Sequence, residues 1–188
     1  MNNIENTEQS ATPSSGVPLD RFVINRVWAM PNKNTFSIKP IGELIKRHLT
    51  GKSIDPFANS NKLATVTNDL NKEYSTDYHM DALEFLKQFD DESIDVVLFD
   101  PPYSPRQVSE CYKSLDMTVN MQTTQASFWG NMKKEIARTV KPKGKVITCG
   151  WNSGGVGKTA GFVQLEILLV PHGGWHNDTI VTVEQKGL

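Results

Sequence analysis

Only two cysteines, Cys111 and Cys149, occur in this chain, and neither belongs to a paired motif. That scarcity excludes a disulfide framework and a cysteine-built zinc site, and two free thiols suit a reducing, cytoplasmic setting. Long hydrophobic runs are also missing: no stretch reaches the ~18 apolar residues that a membrane-spanning helix requires, so no membrane partner is expected. The start of the chain, residues 1–20, lacks the apolar segment of a signal peptide. It is polar, rich in Asn, Ser, Thr, Glu and Pro, and reads as a disordered tail. An excess of one charge is lacking as well, the formal net being −1. With 38% hydrophobic and 22% charged residues in 188, the remainder, residues 21–188, has the size of one domain around one core.

The near-zero net charge hides a division along the chain. Residues 1–103 carry 10 Lys and Arg against 15 Asp and Glu, residues 104–160 carry 9 against 3, and residues 161–188 carry 1 against 3. The basic stretch contains Arg106, Lys113, Lys133, Lys134, Arg138, Lys141, Lys143, Lys145 and Lys158. Two readings stay open: a phosphate-facing surface beside a functional pocket, or a helix covered with solvated charge.

The chain's centre holds the sharpest signal. The apolar run Ile94, Val96, Val97, Leu98, Phe99 reads as a buried strand, and it ends in Asp100-Pro101-Pro102-Tyr103. Prolines stop the ladder and fix the backbone after it, and in open α/β sheets ligands bind outside the carboxyl ends of strands. A carboxylate, an exposed carbonyl and a flat ring thus meet at one corner. Such a set suits an exocyclic amine on a flat heterocycle: Asp100 and the Pro101 carbonyl accept hydrogen bonds from its two protons, and Tyr103 stacks on the ring.

These four residues resemble the signature of the amino-methyltransferases, enzymes dependent on S-adenosylmethionine (SAM) that methylate adenine N6 or cytosine N4 in DNA. Asp in first place resembles the adenine branch, and the small size resembles the enzymes of bacteriophages. Upstream, Ser53 to Asn59, Leu63 to Asn71 and Tyr78 to Ala82 read as strands, each ending near an acid, with a helical pattern at Leu83, Leu86 and Phe89. Strands alternating with helical segments imply a parallel sheet with right-handed crossovers.

The resemblance assigns cofactor roles to these stretches. Asp55, Pro56, Phe57, Ala58 and Asn59 match the loop beneath the methionine part of SAM. Asp69 and Leu70 match the acid that holds the ribose, Asp81 and Ala82 the residues at the adenine ring, and Asp100 borders both cofactor and acceptor. Phe36, Ser37 and Lys39 resemble the N-terminal cofactor motif, with Lys39 a partner for the methionine carboxylate. The first motif departs from the family: glycines usually follow Phe57 because backbone must approach the cofactor, whereas Ala58, Asn59 and Ser60 stand here. Asn59 tolerates left-handed backbone better than most residues.

Beyond the corner, the periodicity predicts a helix from Ala126 to Val140 with Trp129, Met132, Ile136 and Val140 on one face, ended by Pro142-Lys143-Gly144. Strands follow at Lys145 to Cys149, Phe162 to Val170 and Thr179 to Gln185, the last two joined by a connection too short for a helix and therefore antiparallel. The expected fold is α/β: a Rossmann-like SAM-dependent methyltransferase fold with a mostly parallel seven-stranded sheet and a C-terminal antiparallel hairpin. The loop Pro171 to Asp178 holds His172 and His176, but nothing holds the imidazoles on one face and no metal is expected. In the resembling family this loop encloses the target base, which makes Trp175 and His176 candidate substrate contacts. Asn152 to Thr159 resembles a phosphate-binding loop, yet no helix follows it.

The reading that results is methyl transfer from SAM to adenine N6 in double-stranded DNA, the base extruded into the pocket. Cytosine N4, RNA, or a silent subunit that needs an active partner are the alternatives. No separate target-recognition domain fits within the chain. Either Ser104 to Gln125, with Arg106 and Gln107 as the readers, and the hairpin loop supply recognition, or a second subunit of a homodimer or another partner does.

Overall fold

The computed structural model describes residues 22–115 and 126–188. The expected N-terminal tail and residues 116–125, half of the segment expected to read a target, lie outside the described residues. Among the described residues, seven strands form one sheet: β1 (Val23–Arg26), β2 (Ser53–Asp55), β3 (Val66–Thr67), β4 (Ile94–Phe99), β5 (Val140–Gly150), β6 (Phe162–Val170) and β7 (Thr179–Lys186). Their order is β1-β6-β7-β5-β4-β2-β3. β7 runs antiparallel to both β5 and β6, and every other neighbouring pair is parallel.

Helices cover both faces: α1 (Lys39–His48) on one, α2 (Ala82–Leu86) and α4 (Ala126–Thr139) on the other, with α3 (Pro105–Ser114) following the Pro-Pro corner. The two-residue alternation of the strands divides the core. Val96 and Leu98 of β4 and Ile147 and Cys149 of β5 meet Ile41, Leu44 and Ile45 of α1. Val97, Phe99 and Val146 meet Phe85 and Leu86 of α2 and Met132 and Ile136 of α4. Met132 and Ile136 are wholly buried, each burial contributing about 2 kcal/mol, so α4 is clamped along the predicted stripe.

The fold class matches the expectation, but the set of strands differs. Tyr78 to Ala82 forms no strand and pairs only through an isolated bridge between Asn68 and Tyr78. The seventh strand is β1, whose residues are all exposed and so show no alternation to read. Leu63 to Asn71 shrinks to the two residues of β3, and no helix separates β2 from β3. α4 ends at Thr139, and Pro142 to Gly144 bulge within β5, the pairing jumping from Ile94–Val140 to Val96–Lys145. Lys143, at φ +63°, turns that bulge. No helix among the described residues is long and apolar enough to cross a membrane.

Candidate active site

β2 and β4 are parallel neighbours, so their carboxyl ends bring Asp55 and Asp100 to the same edge. The turn after β2 is held by carboxylates where the resembling family has glycines. Asp55 Oδ1 accepts the Phe57 N–H at 3.0 Å, and Asp69 accepts the N–H groups of Asn59 and Asn71, each at 2.8 Å. Asn59 takes φ +55°, a left-handed conformation asparagine adopts at small cost, and Ala58 beside it is buried. Asn68 locks the turn from below: its amide donates to the Pro56 and Met80 carbonyls at 3.1 and 3.0 Å and accepts the Met80 N–H at 3.1 Å.

Over this floor lies a cavity of about 320 Å³, lined by Thr35, Phe36, Phe57, Asn59, Asp69 and all four residues Asp100 to Tyr103. A second cleft of about 210 Å³ shares Phe57, Asn59, Asp69, Pro102 and Cys111 with it and continues over Pro56, Leu70, Asp81, Ala82 and Tyr112. The expected turn, acid and corner residues therefore line one continuous trough, except Asp55, which is buried beneath it. α3 forms its far wall. Ser104 caps that helix, accepting the Gln107 N–H at 3.3 Å, and Pro105 occupies the first turn.

Three carboxylates, Asp55, Asp69 and Asp100, gather here. Asp55 is fully buried and its Oδ2 has no partner among the described residues. Burial above all, then the charges of Asp100 and Asp69, hold its carboxyl well above the ordinary range despite the Phe57 N–H. Enclosure also raises Asp100, offset in part by hydrogen bonds from Tyr103 and Thr35. No lysine or arginine is among the groups that shift either acid; among the described residues the one cation lining the cavity is Lys33. The site is short of positive charge, which fits a cationic ligand.

The raised acids have a measurable consequence. An unfolded chain releases these protons near the ordinary carboxylate value of about 4, whereas native Asp55 and Asp100 retain them to higher pH. Between pH 7 and pH 5 the native state binds more protons, so this contribution to stability rises as pH falls. Asp77, Asp95 and Glu166 are lowered instead; their contribution is lost only on acidification below that window. Melting temperatures of the ligand-free protein and of Asp55→Asn, compared across pH 5 to 7, should show the advantage of the variant greatest at pH 7 and shrinking towards pH 5. A constant difference contradicts the assignment.

Several expected residues sit elsewhere or are already engaged. Lys39 and Ser37 line an adjoining groove that shares Asn34, Phe36 and Asn61 with the cavity, and the Lys39 ammonium is exposed, 4.0 Å from Glu43. Asp81 caps α2 through the Leu83 N–H at 2.9 Å, and its other oxygen accepts the Tyr112 hydroxyl at 2.8 Å. Gln107 lines the cavity, but its Oε1 accepts the Tyr103 N–H at 2.6 Å, and exposed Arg106 pairs with Glu110 at 2.7 Å. Trp175 is fully exposed and lines none of the cavities described. His172 is buried, with ring nitrogens 2.8 Å from the Ala29 carbonyl and from Thr179 Oγ1.

Three of the nine cations of the basic stretch are engaged within the fold. Arg138 binds Asp91, Glu135 and the Phe89 carbonyl at the start of β4, the end opposite Asp100. Lys141 pairs with Asp95, and Lys145 lies 3.4 Å from His48. Lys133, one helical turn beyond Trp129, borders the corner. The phosphate-loop resemblance also has a physical answer. Glu184 of β7, buried in the sheet, accepts the N–H groups of Val156 and Gly157 at 2.6 and 3.0 Å, so the loop's amides cradle an anion supplied by the protein itself.

Sequence reasoning missed Asn68, Tyr112 and Glu184. Val108 and Tyr112, four apart and both buried, were the available signal for α3, and Glu184 stands out as an acid inside the apolar run Ile180 to Val183.

No family model matches the chain, and no curated protein sequence matches it. Among solved structures, the chain is similar to the 1,6-didemethyltoxoflavin-N1-methyltransferase of Burkholderia thailandensis, crystallised with 1,6-didemethyltoxoflavin and S-adenosylhomocysteine. The TM-score is 0.54 and the identity 11%, over 80% of this chain and 78% of that one. It is also similar to TrmN from Thermus thermophilus, with a TM-score of 0.50 and 16% identity over 79% of this chain and 49% of that one. At these identities the likeness establishes the fold, a methyltransferase-type Rossmann-like α/β sheet.

Proposed function

We propose that the chain transfers a methyl group from SAM to the N6 amine of adenine in DNA. The observation that carries this reading is the Asp100–Tyr103 corner opening onto a trough whose carboxylates lack a counter-cation. The residues present fit SAM. Its positive charge answers the unpaired acids, Asp69 and the Asn59 turn are placed to hold its sugar, and the cleft between Phe57 and Tyr112 takes a flat ring. The Burkholderia neighbour, crystallised with S-adenosylhomocysteine, supports the same ligand class.

Bound there, SAM supplies an electrophilic methyl group. The chain's own residues do the rest. Adenine's amine lone pair is delocalised into its ring, so the protein must draw nitrogen towards tetrahedral geometry by accepting hydrogen bonds from both N–H groups. Asp100 and the Pro101 carbonyl are the two acceptors. Asp100 is held for this by Tyr103, whose hydroxyl donates to Oδ1, and Trp129 fixes the corner by donating its indole N–H to the Pro102 carbonyl at 2.9 Å. Positioning, rather than a metal, supplies the rate in this account.

The test is incubation with SAM and mixed-sequence duplex DNA, digestion to nucleosides and mass spectrometry, with a calorimetric titration of SAM alongside. N6-methyladenine is the expected product. N4-methylcytosine instead would move the acceptor to cytosine, and absence of both heat and methylated base would overturn the reading in favour of a silent subunit.

A further inference from the structure

We propose that Trp151 is a stacking wall for the acceptor base, in a cleft on the β5 side of the Asp100–Tyr103 corner; this rests on the reading under Proposed function. That cleft, of about 140 Å³, is lined by Pro101, Tyr103, Trp129, Lys133 and Trp151 among others. Pro101 and Tyr103 line both this cleft and the cavity over Asp69. The corner therefore borders both the donor trough and an aromatic chamber. Asp100 lines the trough and Pro101 and Tyr103 face both spaces, so a base seated in the chamber meets the corner along Pro101 and Tyr103.

Tyr103 does not supply the wall alone. Its hydroxyl is committed to Asp100 and its N–H to Gln107, so the ring is fixed at one edge. Trp151 meets it edge-on, with centroids 5.6 Å apart and planes at 69°. The indole nevertheless stays 42% exposed, and no hydrogen bond holds its N–H among the described residues. The ring thus keeps an open face beside the corner, and every nucleobase offers a face to cover it.

The loop that carries Trp151 is held in place. Glu184 takes the Val156 and Gly157 N–H groups, and Gln164 donates its amide to the Ser153 carbonyl. Lys133 on the chamber rim adds a cation suited to the phosphate of an extruded nucleotide. Neither the four-residue signature nor the likeness to solved structures points to Trp151.

Two measurements test this. In steady-state methylation, Trp151→Ala should lower kcat/KM for DNA by about ten- to a hundredfold, chiefly through KM, while calorimetry shows SAM affinity within about twofold of wild type. Trp151→Phe should restore most of the loss. Independently of catalysis, single-stranded oligodeoxyadenylate should quench the wild-type tryptophan fluorescence, and Trp151→Phe should remove most of that quenching. Methylation with kcat/KM unchanged in Trp151→Ala overturns the inference and leaves the proposed reaction standing. Quenching that depends on Trp151 without methyl transfer does the reverse, retaining the base seat and discarding the reaction. Quenching undiminished in Trp151→Phe overturns the inference outright.

Discussion

Asp100→Ala should reduce methyl transfer by about a thousandfold, the scale on which loss of one pre-placed hydrogen-bonding group in a reacting site is felt. The variant should still bind SAM within several-fold of wild type, because the trough keeps Asp69 and the Asn59 turn, with Asp55 buried beneath them. Removing the carboxylate leaves the Tyr103 hydroxyl without its acceptor, so the ring loses its fixed edge as the amine loses its partner. Asp100→Asn separates these effects. Its carbonyl still accepts, from the amine or from Tyr103, and only the charge is gone, so a loss nearer tenfold is expected. Equal activity of wild type and Asp100→Ala would remove Asp100 from the reaction.

The largest effect on stability is expected at Gly155, far from the signature in sequence. Its φ is +50°, and a Cβ built there would fall within the carboxylate of Glu184. That carboxylate is buried, raised by burial against the pull of the Val156 and Gly157 amides, and cannot retreat without leaving those amides unpaired. Gly155→Ala therefore combines a left-handed alanine with overpacking and a broken polar cradle, together about 3 kcal/mol or more. For a chain of this length the melting temperature should fall by roughly 6–12 °C. Gly130, inside α4, is the matched control: nothing stands within 4 Å of its Cβ position, and Gly130→Ala should gain up to about 1 kcal/mol from helix propensity. Similar melting temperatures for the two variants would contradict the Glu184 cradle.

What could be read from the sequence was what local chemistry states aloud. The run Ile94 to Phe99 is apolar on both faces because helices cover both, and the prolines after Asp100 end it in the expected corner. Asn59 was foreseen as the residue for a left-handed turn, and the acids after β2 and β3 meet beneath one cavity. The misses share a cause, dependence on distant partners. β1 exists because β6 offers it a ladder, although its exposed residues carry no pattern of their own. Asp81 lines the cleft expected of it, yet its oxygens also accept the Leu83 N–H and the Tyr112 hydroxyl, which arrives from a helix 31 positions later. Arg138 reads as surface charge until Asp91, Glu135 and the Phe89 carbonyl gather around it. The glycine-rich loop at Gly154, rejected as a phosphate site because no helix follows it, is filled by Glu184 reaching from β7, a partner no local pattern announces.

The account rests on a donor seat and an acceptor corner sharing one carboxylate, and the most direct measurement is a crystal structure with S-adenosylhomocysteine. The predicted result places its sugar against Asp69, its adenine in the cleft beside Tyr112 and its sulfur facing Asp100. Density for the ligand anywhere that leaves Asp100 and Pro101 out of reach of the sulfur would contradict the account.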